Sequence, residues 1–157
     1  MVPEDALVLV LSGDAPLLSL STARGLFAAA GRGWGAMAVA ELDDPGQLGR
    51  VVTTPDGLLL RSVEAADASP EELKNTLVNA GAYALPASEI FGYLHRLSAE
   101  NAQGEIYLPD ALNLAAGEGR KVFCLPLSDT REAWGVNTPD ELARVDDRLS
   151  AREGDPE

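Results

Sequence analysis

A chain of 157 residues, 46% of them apolar, with a mean hydropathy of -0.02, is long enough for one globular domain with its own core. The formal net charge of -13 and a pI near 4.3 exclude a nucleic-acid or anionic-membrane surface, because such surfaces bind through clustered Lys and Arg. A metal ion or backbone N–H groups must therefore hold any anionic ligand.

The single cysteine, Cys124, excludes an internal disulfide and lies in an apolar run over 122–125, which is typical of a small core residue. A reducing cytoplasm is therefore the expected compartment. The apolar run over 6–11 is far too short to span a membrane, and Glu4 and Asp5 precede it where a secretory signal would carry positive charge.

The first part of the chain alternates between strand and helix patterns. The apolar run over 6–11 ends at Ser12-Gly13-Asp14 and predicts a strand buried on both faces, as found inside a parallel sheet. Helical periodicity predicts a helix over 20–30, and a strand is expected over 36–42.

The middle of the chain carries turn and cap signals. Two segments rich in Val, Thr and Leu, over 50–54 and 58–63, flank Asp56-Gly57, which predicts a β-hairpin arm. Ser69-Pro70-Glu71-Glu72 and Thr138-Pro139-Asp140-Glu141 each combine an N-cap residue, a proline and a glutamate, so a helix should begin at each.

The remaining elements complete an α/β pattern. They are a strand over 77–85, a helix over 87–97, a helix over 109–116, a strand over 121–125 and a frayed tail over 151–157. Alternating strands and helices predict a doubly wound, mostly parallel sheet, with ligands beyond the carboxyl ends of the strands. That rule directs attention to Asp14, Asn79 and Asn137.

The residues alone leave alternatives open at each of these positions. Asp14 in Gly-Asp-x-Pro is commonly a turn or capping residue, and Asn137 could be a turn residue before the Thr138 cap. Asn79 could make a structural hydrogen bond, and Glu64 could be a solvated carboxylate. The only histidine, His95, falls inside a predicted helix and is assigned no chemistry.

Six short motifs occur in one order along nearly the whole chain. They are Gly13 to Leu17 (Gly-Asp-x-Pro-Leu), Asp43 to Arg50 (Asp-Asp-Pro, then Gly-Arg), Val63 to Ala68, Asn79 to Gly81, Asn101 to Asp110 and Gly135 to Asn137. This ordered set resembles the bacterial N-acetylglucosamine-1-phosphate uridyltransferases. The resemblance implies a Rossmann-like nucleotidyltransferase fold, of which residues 1–150 would be the C-terminal portion.

The resemblance also implies a role for each matching residue. Asp14 and Asn137 would bind a catalytic Mg²⁺, while the backbone of Gly49 and the side chains of Glu64 and Asn79 would contact the sugar phosphate. The reaction implied is attack of the 1-phosphate of N-acetylglucosamine 1-phosphate on the α-phosphorus of UTP, which gives pyrophosphate and UDP-N-acetylglucosamine, a cell-wall precursor.

The sequence departs from the family pattern near the expected site. The glycine-rich loop and the Gly-Thr-Gly segment that precede the first strand in the family are missing from this sequence, and Ala66 stands where a lysine is usual. We therefore expect the isolated chain to be inactive, with an open sheet edge at 6–11 that allows self-association. The alternative is a non-catalytic binding or interaction module of the same fold.

Overall fold

The computed structural model describes residue 3 and residues 5–153. The strands are β1 (Leu7–Leu11), β2 (Gly35–Glu41), β3 (Arg50–Thr53), β4 (Leu59–Val63), β5 (Leu77–Pro86) and β6 (Val122–Pro126). The helices are α1 (Leu20–Ala30), α2 (Ile90–Leu94), α3 (Leu108–Gly117) and α4 (Pro139–Glu153). Two 3₁₀ turns, Glu72–Lys74 and Thr130–Ala133, complete the set among the described residues.

One six-stranded sheet has the order β4-β3-β5-β2-β6, and β1 pairs with the edge of β5 that also carries β3. β5 is antiparallel to β1, β2 and β3, whereas β2 and β6 are parallel. β1, β2, β3 and β6 therefore point in one direction, with β5 reversed among them. We predicted mostly parallel pairing, and the reversed central strand is why most described pairings are antiparallel.

Helices cover both faces of the sheet, as the doubly wound pattern predicts. On one face, α1 packs Leu26 and Ala30 against small residues of β2 and β5. On the other face, Leu112 of α3 packs against Met37 and Leu85, and all three side chains are fully buried. Each such side chain contributes about 1.5–3 kcal/mol through burial.

The first strand differs from its prediction. β1 is only partly buried, with Val8 and Leu11 exposed by 37% and 49%, and among the described strands it pairs with β5 alone. Its second edge consequently lacks a neighbouring strand within residue 3 and residues 5–153. The run is apolar because it packs partly against both layers, rather than because it is enclosed.

Turn and cap signals predicted the structure correctly where contacts between neighbouring residues determine it. The hairpin forms with Gly57 at φ 75°, and α1 matches its predicted bounds. The box at Ser69 also forms, since the Glu72 carboxylate accepts from the Ser69 backbone N–H at 2.9 Å, but it opens only a 3₁₀ turn. Asn75 ends that turn because its side chain donates to the Val51 carbonyl of the sheet at 2.7 Å.

Two other helices have different bounds from those predicted. The helix expected over 87–97 is limited to Ile90–Leu94, whereas α4 continues to Glu153, past the expected end of the domain at 150. Residues 154–157 of the predicted frayed tail lie outside the described residues. None of the described helices has the length and apolar character needed to cross a membrane.

Candidate functional site

A cleft of about 1040 Å³ opens at the end of the sheet where β1 and β2 finish. Its walls come from the loop after β1, the loop after β2, the first half of β5 and the segment leading into α4. Four of the five predicted site residues are part of its lining, namely Asp14, Glu64, Asn79 and Asn137. The fifth, Gly49, lies directly against Glu64.

The loops that carry Asp14 and Asn137 are joined to each other. The backbone N–H of Val136 donates to the Asp14 carbonyl at 2.8 Å. Gly135 lies between the two side chains, since a Cβ built on it would be 3.4 Å from Asp14 Oδ2 and 3.3 Å from Asn137 Nδ2. The ends of the two side chains therefore converge on one point, and the glycine leaves that space open.

The start of α4 fixes the backbone of Asn137. Glu141 Oε2 accepts hydrogen bonds from the backbone N–H groups of Asn137 at 2.8 Å and Thr138 at 2.9 Å, which is the predicted capping box. These bonds, the Asn137 N–H first, lower the pKa of Glu141. Asn137 is thus held at the cleft by the cap that begins the last helix.

A magnesium ion fits the chemistry of this pair. Mg²⁺ in proteins is commonly bound by one or two carboxylates and completed by waters and substrate phosphates, so one carboxylate and one amide oxygen suffice. Rotation of the Asn137 amide by half a turn exchanges Nδ2 for Oδ1 at the point of convergence. No cluster of three or more His, Cys, Asp or Glu suited to a metal is found among residue 3 and residues 5–153.

The second group of predicted residues, Gly49, Glu64 and Asn79, also comes together. The Asn79 backbone N–H donates to the Gly49 carbonyl at 2.9 Å. A Cβ on Gly49 would lie 3.2 Å from Glu64 Oε2, so a side chain at this position would require the Glu64 carboxylate to shift by a few tenths of an ångström. Burial, with added repulsion from Asp110 and Asp67, raises the pKa of Glu64.

Asn79 lies inside β5, near its beginning, and not in a turn or at the carboxyl end of a strand as we expected. Its Oδ1 accepts from the Gly81 N–H at 3.0 Å, and its amide contacts the Tyr83 hydroxyl, 2.7 Å from Nδ2. The structural hydrogen bonds that we considered as an alternative therefore exist, and Asn79 also belongs to the cleft lining.

Three cleft residues were not singled out from the sequence. Tyr83 is 6% exposed, and burial first of all raises its pKa to about 12, with a smaller contribution from Glu64. Alternation along a strand could have indicated it, because 79 and 83 share a face. Arg144 stacks over the Trp134 ring at 4.3 Å, and both residues line the cleft.

The charge of the cleft is strongly acidic. Its lining contains one basic residue, Arg144, against five carboxylates, which are Asp14, Asp43, Asp44, Glu64 and Glu141. A phosphate that enters this cleft is repelled unless a cation offsets part of the field.

Comparison with known proteins decides the ancestry. No family model matches the chain. It is 38% identical over 146 residues to the bifunctional protein GlmU of Albidiferax ferrireducens, covering 93% of this chain and 31% of that protein. It is 40% identical over 150 residues to GlmU of Corynebacterium efficiens, covering 94% of this chain and 31% of that protein. The chain is therefore similar to one segment of the GlmU proteins. It spans about a third of the length of the curated relatives it matches.

Solved structures confirm the fold. The nucleoside-diphosphate-sugar pyrophosphorylase from Vibrio cholerae RC9 matches with a TM-score of 0.63 at 16% identity, over 88% of this chain and 55% of that one. A Bacillus anthracis protein assigned as a glucose-1-phosphate thymidylyltransferase, in complex with sucrose, matches with a TM-score of 0.64 at 19% identity, over 92% and 55%. The chain therefore has the α/β architecture of sugar nucleotidyltransferases.

Proposed function

We propose that this chain provides the sugar-phosphate and metal side of a nucleotidyltransferase site, with N-acetylglucosamine 1-phosphate as its sugar phosphate. The observation that carries the proposal is the convergence of two residue groups on one cleft. Asp14 and Asn137 approach one point at one wall, and Gly49 contacts both Glu64 and Asn79 at another.

The first group supplies the metal ligands in this proposal. Asp14 and Asn137 hold Mg²⁺ through one carboxylate and one amide oxygen, and the other positions are left to water and phosphate oxygens. When bound, the ion neutralises phosphate charge and so supports binding and transfer of a phosphoryl group. Gly135 keeps the space between the two ligands free.

The second group binds and orients the sugar. Glu64 presents a carboxylate to a sugar hydroxyl, and Gly49 leaves room for the Glu64 carboxylate against the backbone. The Asn79 amide, held by Gly81 and Tyr83, presents a fixed polar edge. In the full reaction, the sugar 1-phosphate oxygen forms a bond to the α-phosphorus of UTP as the bond to pyrophosphate breaks. Fixing the attacking phosphate in line is the contribution that these residues make.

The isolated chain in this proposal binds the sugar phosphate without completing the transfer. The cleft lining offers Arg144 as its basic side chain, and one guanidinium cannot offset the charge of both a triphosphate and a sugar phosphate beside five carboxylates. The second candidate, a binding module without turnover, has the same binding residues and differs only in whether another polypeptide completes the reaction.

Calorimetric titration with N-acetylglucosamine 1-phosphate tests the proposal. We expect binding in Mg²⁺ that weakens by about tenfold or more with a chelator, because the cation offsets the acidic field. Asp14→Ala should remove the dependence on Mg²⁺, whereas the matched control Asp56→Ala, in the exposed hairpin turn, should keep it. Tighter binding of UTP than of the sugar phosphate, or a chelator-insensitive affinity, would refute the assignment.

A further inference from the structure

A buried arginine without a carboxylate partner lies beside the cleft. Arg50, the first residue of β3, is 4% exposed. None of the ion pairs formed by the described residues includes it, although the chain carries 25 acidic residues. Burial of a guanidinium is costly unless its donors are used, so the donors of Arg50 show what the residue does.

Those donors bind the loop that forms one wall of the cleft. Arg50 Nη2 donates to the Gly46 carbonyl at 3.1 Å, and Nη1 donates to the Leu48 carbonyl. Nε is buried and has no hydrogen-bond partner. The side chain therefore folds back over its own preceding segment and holds two carbonyls, two and four residues upstream, in one fork.

The loop over 42–48 has few other constraints in its middle. At its two ends, the Leu42 N–H donates to the Thr76 carbonyl and the Gly49 carbonyl accepts from Asn79. Between these points the other bonds are local to the loop, and all seven residues line the cleft. Gly46, exposed and at φ 51°, makes the bend that turns its carbonyl to Arg50.

We propose that Arg50 is a positioning residue, which clamps the loop over 42–48 and thereby sets the shape of the cleft wall that leads into Gly49. The effect of Arg50 on ligand binding rests on the proposed function, whereas its hydrogen bonds to the loop do not depend on that function. Lysine cannot replace the fork, because an ammonium is a compact point charge and cannot span two carbonyls in a plane. The positive charge of Arg50 thus interacts with two carbonyl dipoles in place of a carboxylate, and this interaction fixes the loop conformation.

Hydrogen exchange of the ligand-free protein tests the clamp. In Arg50→Lys, the backbone amides of Gly46 and Leu48, which make hydrogen bonds inside this loop, should exchange about tenfold faster than in the wild-type protein, with β2 and β6 unchanged. Arg61→Lys is the matched control, since Arg61 lies in the neighbouring strand and is 57% exposed in an ion pair with Glu72. It should leave loop exchange unchanged. Equal exchange in wild type and Arg50→Lys would overturn the clamp.

A second variant tests the same hydrogen bonds by changing the loop in place of Arg50. Gly46→Ala strains the backbone at positive φ but meets no atom within 4 Å, so folding of the domain should be retained even if Arg50→Lys does not fold. It should likewise speed loop exchange. Slow exchange in Gly46→Ala, with the loop as protected as in wild type, would count against the clamp.

Titration then tests the effect on the ligand. Both variants should bind N-acetylglucosamine 1-phosphate about tenfold more weakly in Mg²⁺, while their affinity for Mg²⁺ alone stays that of wild type. A merely structural role would weaken both affinities together. Faster exchange with unchanged sugar-phosphate affinity would refute positioning. A wild-type chain that binds no sugar phosphate would refute the proposed function and the positioning role, while exchange would still decide the clamp.

Discussion

Removal of the Tyr83 hydroxyl should destabilise the fold at neutral pH. The hydroxyl is the hydrogen-bond partner of Asn79 Nδ2 at 2.7 Å, whereas Asn79 Oδ1 also accepts from the Gly81 N–H. Asn79 is only 9% exposed. Tyr83→Phe therefore leaves a buried amide donor without its partner, which costs about 1–3 kcal/mol of unfolding free energy.

The same substitution should change how stability depends on alkaline pH. Burial raises the pKa of Tyr83 to about 12 in the folded protein, against about 10 when unfolded. A raised pKa means that its contribution to stability is complete below pH 10 and is lost as pH rises towards 12. Two pKa units correspond to about 2–3 kcal/mol, so the advantage of wild type over Tyr83→Phe should nearly vanish by pH 12.

Urea unfolding, followed by tryptophan fluorescence from pH 7 to pH 12, measures both effects. Other groups titrate in this range, including Cys124, whose pKa burial also raises to about 12, but they are common to both proteins and cancel in the difference. Tyr93→Phe is the matched control, because Tyr93 is equally buried and its hydroxyl donates to Glu118 away from the cleft. A constant difference between wild type and Tyr83→Phe over the whole range would refute the reasoning.

Four further expectations follow from the same structure. Gly81→Ala should lower the free energy of unfolding by about 1–2 kcal/mol because of its φ of 72°, and by more because its Cβ would lie 2.4 Å from Ser12 Oγ. The control Gly92→Ala, in a helix where the Cβ meets no atom within 4 Å, should raise it by about 0.5–1 kcal/mol, and thermal unfolding measures both. Glu64→Gln should stabilise the protein at neutral pH, because a raised carboxyl pKa means stability that falls as pH rises above 4.5, and should weaken sugar-phosphate binding by calorimetry. The isolated chain with UTP, N-acetylglucosamine 1-phosphate and Mg²⁺ should release no pyrophosphate above a protein-free control, and turnover that Asp14→Ala abolishes would contradict this. Self-association at the open edge of β1, measured by light scattering, should be reduced by Val8→Lys, which places a charge on an exposed residue of that strand.

Local signals explain which elements could be predicted. The helical periodicity over 20–30 defines α1, and Asp56-Gly57 defines the hairpin, because each depends on neighbours within a few residues. The box at Ser69 was equally clear, yet it produced only a 3₁₀ turn. Asn75 bonds to a strand 24 residues away, and no local pattern reports such a contact.

The residues of the candidate site were predicted from motifs, but the contacts that hold those residues in place could not be predicted from the sequence. Asp14, Asn79 and Asn137 could be named because their motifs occur in the family order. Arg50 could not be recognised as buried, since an arginine at the start of a hairpin strand is ordinarily solvated. Its burial follows from the fold of the loop before it, which brings two carbonyls to one guanidinium.

The direction of β5 explains how Asn79 reaches the cleft. β1 ends at Leu11 opposite Ala82, and β2 ends at Glu41 opposite Leu77, so the first residues of β5 lie at the finishing end of both strands. A parallel β5 would place Asn79 at the present position of Ala84, five residues along the strand and roughly 17 Å away at about 3.3 Å per residue. The rule that ligands lie beyond carboxyl ends therefore directs attention to the end of the sheet where Asp14 lines the cleft. It reaches Asn79 only because this strand is reversed.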